Sequence, residues 1–297
     1  MTILGAGNDA GEQVHSSRRT LAVLETIAAH PRGVTPKGIS QALKIHLSTC
    51  YRLLNTLLAA GYVVRSPNGL FSLGRRVAYL NHRYEAAIRP RPEVLAFLHA
   101  LQLATQETAA LCRLEDGDVV ITATVEGSRP DAHPGEYVGL AGPAYAFAVG
   151  RVLLAGLPAA RREVALSLSQ AAPGLPGLPR VSLQALRDEM VSIQQKGYAV
   201  DRGDSASGVC CYAAPIRDGS GVTAAVGVIG PCARLRCDEE RMLPVLLEVA
   251  RAISALLTAL PEQETGSPSA EQAGRTVSQA AVEAAQAAIA DAMSRVI

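Results

Sequence analysis

The chain has 297 residues, 48% of them apolar, enough for about two domains; with no Trp and only three Phe, their cores must be built largely from small side chains. No apolar run reaches the length of a membrane span without a charge, and the opening MTILGAGNDAGEQ lacks the basic-then-apolar pattern of a signal peptide; a cytoplasmic protein with no membrane partner is expected. The formal charge of +1 is unevenly spread: residues 15–84 hold ten Lys or Arg and one acid, Glu25, a net +9, and since residues 1–14 carry two acids, residues 85–297 come to −6.

Residues 1–14 are polar and Gly-rich, the composition of a disordered terminus. Ser17 is placed to cap a first helix with an apolar stripe at Leu21, Leu24 and Ala28, and His30-Pro31-Arg32-Gly33 breaks it. Thr35 caps the next helix, in which Ile39, Ala42 and Leu43 share one face. A third helix follows after a tight turn, with Cys50, Leu53, Leu54, Leu57 and Leu58 as its apolar stripe. Its other face carries Ser48, Thr49, Tyr51, Arg52 and Asn55, short hydrogen-bonding groups and a guanidinium that suit phosphates and base edges. This reads as a helix-turn-helix, with an ordinary helical hairpin as the plain alternative. Gly61 suits a helix C-terminus. Tyr62–Arg65 and Leu70–Leu73 then form a β-hairpin around Ser66-Pro67-Asn68-Gly69, which makes the motif a winged helix covering residues 15–76. Double-stranded DNA is the expected partner, read by Ser48, Thr49, Tyr51, Arg52 and Asn55 with Arg65 on the wing. For Tyr51, packing against the wing is the competing role. The net +9 coincides with the motif, so nucleic-acid binding is preferred over a merely solvated basic surface.

A linker helix is expected over 77–91, ended by Pro90 and Pro92. A second domain, 92–260, opens with an amphipathic helix through Val94, Leu95, Leu98 and Leu101. Strands are expected at Ala109–Leu114, Val119–Val125, Tyr137–Leu140, Tyr198–Asp201, Val209–Ile216 and Val222–Ile229. Helices are expected at Val149–Leu157, Ala159–Leu168, Leu183–Gln195 and Met242–Leu260, with a surface loop over 171–180 and a loop opening at Gly142-Pro143. Antiparallel hairpins without strict βαβ alternation make the class α+β. The six cysteines include no CxxC pair and the six His have no ligand spacing, so no metal site and no disulfide framework is expected. Beyond Pro261 a polar linker leads into an Ala-rich segment with Val282, Ala285, Ile289, Met293 and Val296 at heptad-like spacing. Residues 261–297 are therefore expected to be a flexible linker and a helical tail that reinforces self-association, with a frayed tail of no role as the alternative.

Several of these segments together resemble the IclR-type bacterial transcriptional regulators. The resemblance rests on Ser48-Thr49-x-x-Arg52-Leu53-Leu54, Gly61-Tyr62 and Leu73-Gly74 in the first domain. In the second it rests on Gly150-Arg151-x-x-Leu154-Ala155, Gly197-Tyr198-Ala199-x-Asp201, Gly208-Val209-Cys210-Cys211-x-Ala213-Ala214-Pro215-Ile216 and Gly230-Pro231. It implies a winged helix, a linker helix and a GAF-like effector-binding domain in a homodimer or dimer of dimers, hence a ligand-responsive transcription factor. Lys44 stands where the turn often has Gly, and His46 where Pro is common. Gly227 and Ile229 stand where some members present two serines to a bound carboxylate, which argues against a small keto acid. The effector expected has an apolar or aromatic body and at most one acidic group. Its site is expected at Ala148, Val149 and Gly150, at a helix N-terminus, with Asp201, Cys211, Gly227 and Ile229. Asp201 has a second reading as a turn residue bonded to its local backbone, and Cys211 as a buried small residue. The runner-up function is a small-molecule enzyme or carrier fused to a nucleic-acid-binding module. Against catalysis, Cys211 has no base beside it and the nearby Asp201 would oppose thiolate formation. No catalytic residue or cofactor is assigned.

Overall fold

A computed structural model describes residues 15–171 and 181–259, together with Ala287. The expected N-terminal disorder, the loop over 172–180 and the tail beyond Leu260, apart from Ala287, lie outside the described residues. Two compact units meet in sequence between Ile88 and Arg89.

The first unit runs α1 (His15–Ala28), α2 (Pro36–Leu43), α3 (Leu47–Ala59), β1 (Val63–Arg65), β2 (Phe71–Leu73) and α4 (Arg75–Ile88). The Thr35 hydroxyl accepts from Gly38 N–H at 3.1 Å and Pro36 occupies the first turn of α2, where its missing N–H costs nothing. Lys44 ends α2 in the left-handed conformation, φ 52°, so the position where glycine is common does need glycine's backbone geometry. The helices close over Val23, Ile27, Ile39, Cys50 and Leu54, with Val63 and Phe71 from the hairpin. The hairpin is antiparallel, with Val63 opposite Leu73 and Arg65 opposite Phe71, and Val34 adds a bridge to Phe71. Gly74 fastens the end of the hairpin: its N–H donates to Tyr62 O at 2.7 Å, and a Cβ there would sit 2.4 Å from Gly61 O. The arrangement is a winged helix, and α4 begins two residues before the expected linker helix.

The second unit is a six-stranded antiparallel sheet in the order β5-β4-β3-β8-β7-β6. Its strands are β3 (Thr108–Glu115), β4 (Asp118–Val125), β5 (Ala141–Pro143), β6 (Ala199–Ala206), β7 (Val209–Asp218) and β8 (Gly221–Pro231). On one face lie α5 (Pro92–Thr105), α9 (Cys232–Cys237) and α10 (Glu239–Ala259), packed on Leu111, Tyr212, Ile216, Val226 and Val228. On the other lie α6 (Ala148–Gly156), α7 (Ala159–Ala171) and α8 (Leu183–Lys196), packed on Ala110, Cys112, Ala213 and Ala225. Helices on both faces of an antiparallel sheet make an α+β fold. By length and composition α10 could cross a membrane, yet Met242, Val245, Leu246, Val249, Ala250 and Ile253 recur at helical spacing and are buried in this core.

Three expectations are corrected. Tyr137–Leu140 is not a strand: Gly139, at φ 90°, turns the chain, and the strand is Ala141–Pro143, with Gly142-Pro143 inside it. No element is expected between β8 and α10, where the short helix α9 forms. Cys210 and Cys232 form a disulfide, their Cα atoms 4.7 Å apart. The pairing of Cys210 with Gly230 across β7 and β8 brings them together, and spacing along the chain carries no trace of that register.

Candidate functional site

In the first unit, Ser48, Tyr51, Arg52 and Asn55 fall on one outward stripe of α3, at steps of three, one and three residues, and all four are exposed, Tyr51 by 43%. Thr49 lies at the edge of this stripe and is half-buried. The apolar stripe opposite it, Cys50, Leu54 and Leu57, is buried and fixes the rotation of the helix. Cys50 is tied further by its thiol, which donates to Pro36 O at 3.5 Å. Arg65 stands at the start of the wing turn, exposed, with its guanidinium 5.8 Å from the centre of the Phe71 ring. The turn itself is held by Gly69 N–H to Ser66 O at 2.9 Å and by the Ser66 hydroxyl, which contacts Asn68 and donates to Leu70 O. Between Glu25 and Glu85 the sequence contains no acid, so α3 and the wing carry positive charge and neutral hydrogen-bonding groups with no carboxylate among them.

The residues expected at the effector site gather on the sheet face that carries α6. Asp201 pairs with Cys211 and Cys211 with Ile229, a row across β6, β7 and β8. The next row on that face is Ala199, Ala213, Gly227 and Ala110, all small, which lets α6 approach closely. A Cβ on Gly227 would lie 2.9 Å from Val149 Cγ1 and 3.4 Å from Cys211 Sγ, so these three residues meet. Ala148 and Val149 are buried at the start of α6; Gly150 packs so tightly on the turn at Ala144 that a Cβ would come within 2.2 Å of Ala144 O. Cys211 and Ile229 are half-buried.

Asp201 is buried, and its carboxylate is engaged locally. One oxygen accepts from the N–H groups of Gly203 (3.0 Å) and Asp204 (2.8 Å), and the Ser205 hydroxyl donates to the other. These bonds hold the bulge that interrupts the β6–β7 pairing between Asp201 and Ala206. Burial pushes the Cys211 thiol well above its ordinary range, the nearby Cys112 and Asp201 push it further, and Arg151 opposes them. Burial alone takes Cys112 up to about 12. Both are neutral thiols at physiological pH and poor nucleophiles.

Arg151 has no role in the reading from sequence beyond its place in a motif. It is 8% exposed, on α6, and its Nη1 donates to both oxygens of Glu189 on α8, at 3.0 and 3.3 Å. The one signal in the sequence is a single charge within the otherwise apolar AVGRVLLAG of α6.

A model described as the IclR helix-turn-helix domain matches residues 16–67, and one described as the C-terminal region of the bacterial transcriptional regulator IclR matches residues 90–255. The chain belongs to the IclR family. An HTH-type transcriptional regulator of Mycobacterium tuberculosis is 32% identical over 240 residues, 80% of this chain and 90% of that one. The DNA-binding transcriptional repressor YiaJ of Escherichia coli is 29% identical over 249 residues, 82% of this chain and 88% of that one. Among solved structures, an IclR homologue from Microbacterium hydrocarbonoxydans complexed with 4-hydroxybenzoate superposes with a TM-score of 0.64 at 26% identity, covering 82% of this chain and all of that one. This IclR-family protein is therefore a transcriptional regulator and not an enzyme, with a helix-turn-helix for operator DNA and a C-terminal domain for a small-molecule effector.

Proposed function

We propose that this regulator acts in the cytoplasm as a homodimer or dimer of dimers, reads its operator with Ser48, Tyr51, Arg52 and Asn55 of α3, and steadies itself on the phosphates with Thr49 and with Arg65 of the wing. The observation that carries the reading is the exposed polar stripe of α3, in a segment free of acids and backed by a buried seam. Self-association fits this role, since one recognition helix covers one half-site. The effector is a small acid with an apolar or aromatic body. It contacts the sheet face under the start of α6, with Ala148, Val149 and Gly150 on the helix side and Cys211, Gly227 and Ile229 on the strands. Asp201 orders the adjoining bulge and acts on the ligand through it. The small residues of that face and the 4-hydroxybenzoate held by the Microbacterium homologue support this. A bound effector that favours the folded protein raises its melting temperature. The account expects 4-hydroxybenzoate or a related aromatic acid to raise that temperature and to change affinity for DNA from the protein's own promoter region. Acids that bind without changing DNA affinity would contradict it.

A further inference from the structure

We propose that the guanidinium of Arg151 is the seat for the effector's carboxylate, which makes the effector a monoanionic acid. The proposal rests on the reading that a small molecule binds beneath α6. Nη1 of Arg151 is engaged by Glu189, whereas Nε and Nη2 are buried and have no hydrogen-bond partner among the described residues. The Arg151 side chain is only 9% exposed, so water does not readily replace a partner. Nε and Nη2 form one edge of the planar guanidinium, the edge whose two parallel N–H groups match the two oxygens of a carboxylate. This protein uses that edge for that purpose elsewhere. Arg187 grips Glu163 through Nε and Nη2, at 3.1 and 2.6 Å, and Arg234 grips Glu107 through the same pair of nitrogens. In Arg151 the protein's own carboxylate sits on Nη1 and leaves the gripping edge unpaired.

The surroundings fit a single anionic ligand. The charge of Arg151 reaches the half-buried Cys211, which neighbours Ile229 and Gly227. An apolar body resting on Cys211 and Ile229 would bring an attached carboxylate toward Arg151. Asp201 does not compete for the unpaired edge, because both its oxygens are held within its own bulge. Glu189 already balances the cation, so a monocarboxylate leaves the cluster at one negative charge, which the N-terminal end of α6 helps to offset. A dicarboxylate would add a second charge with no partner.

The test is calorimetric titration of the full chain with benzoate, 4-hydroxybenzoate and phenylacetate, each against its primary amide. Wild type is expected to prefer an acid to its amide by about tenfold or more, as loss of a charge-assisted bond implies. Arg151→Gln should weaken the acid by about 10- to 100-fold and erase the preference; Arg151→Lys should retain a reduced preference, and it carries the test if the glutamine variant does not fold. Glu189→Gln separates the seat from a merely structural ion pair: a seat relieved of its competing carboxylate binds acids as well or better, whereas a structural pair loses binding alike from either side. Unchanged acid affinity in folded Arg151→Gln, parallel loss in Glu189→Gln, or no acid bound by wild type would each overturn the seat. The effector reading is judged separately, by whether the amides or a bacterial small-molecule extract still raise the melting temperature of the wild type.

Discussion

Glu25 is the only acid of the basic segment, and the structure shows why its presence matters. One of its carboxylate oxygens is buried without a partner among the described residues, and desolvation pushes its pKa upward. A raised pKa in the folded state means the folded protein holds the proton more tightly than the unfolded chain. The group's contribution to stability is then fully present below the ordinary glutamate range and is lost as pH rises through the raised value. Glu25→Gln, which removes the charge and keeps the shape, should raise the melting temperature at neutral pH, with the gain closing in acid. A gain that persists at low pH would place its origin elsewhere. Lys44, a few residues before the recognition helix, also departs from the easiest choice. It holds a left-handed backbone that disfavours a side chain, and in return it adds a positive charge beside α3.

At the scale of elements, Gly74 decides whether the wing stands. Its missing Cβ lets β2 turn into α4 against the backbone of Gly61 and Tyr62. Gly74→Ala should destabilise the first unit by about 1–3 kcal/mol, as overpacking does, and weaken DNA binding while ligand binding by the second unit persists. Equal loss of both functions would contradict this. The elements differ in how far sequence discloses them. The helix-turn-helix was legible because Ile39 and Leu43, and Cys50, Leu54 and Leu57, are apolar at helical spacing, and that spacing also settles which face of α3 points outward. The wing was legible from two short apolar strands around Pro67-Asn68-Gly69. What stayed hidden was set by contacts distant in sequence. β5 begins at Ala141, past the expected strand, because its pairing with β4 and the bonds of Gly139 and Leu140 to Ile121 set where it starts, and the Cys210–Cys232 bond follows from strand register. The residues proposed to face the effector stand in motifs of the sequence, but that Asp201 serves its own bulge, or that Arg151 keeps one edge unpaired, depends on orientation.

At the scale of the whole molecule, a basic helix-turn-helix unit is joined to an acidic C-terminal unit, and the account expects DNA contacts from residues up to Ile88 and their control from residues after it. Binding that neutralises phosphates releases counterions, so affinity is expected to fall steeply with salt. Base or phosphate contact by a guanidinium contributes about 1–3 kcal/mol beyond that background. The most direct measurement is fluorescence anisotropy of wild type and Arg52→Ala on DNA from the protein's own promoter region, at several salt concentrations. The account predicts a steep salt dependence for wild type, and for the folded variant an affinity about 10- to 100-fold lower. A folded Arg52→Ala that binds the same DNA as tightly as wild type would contradict it.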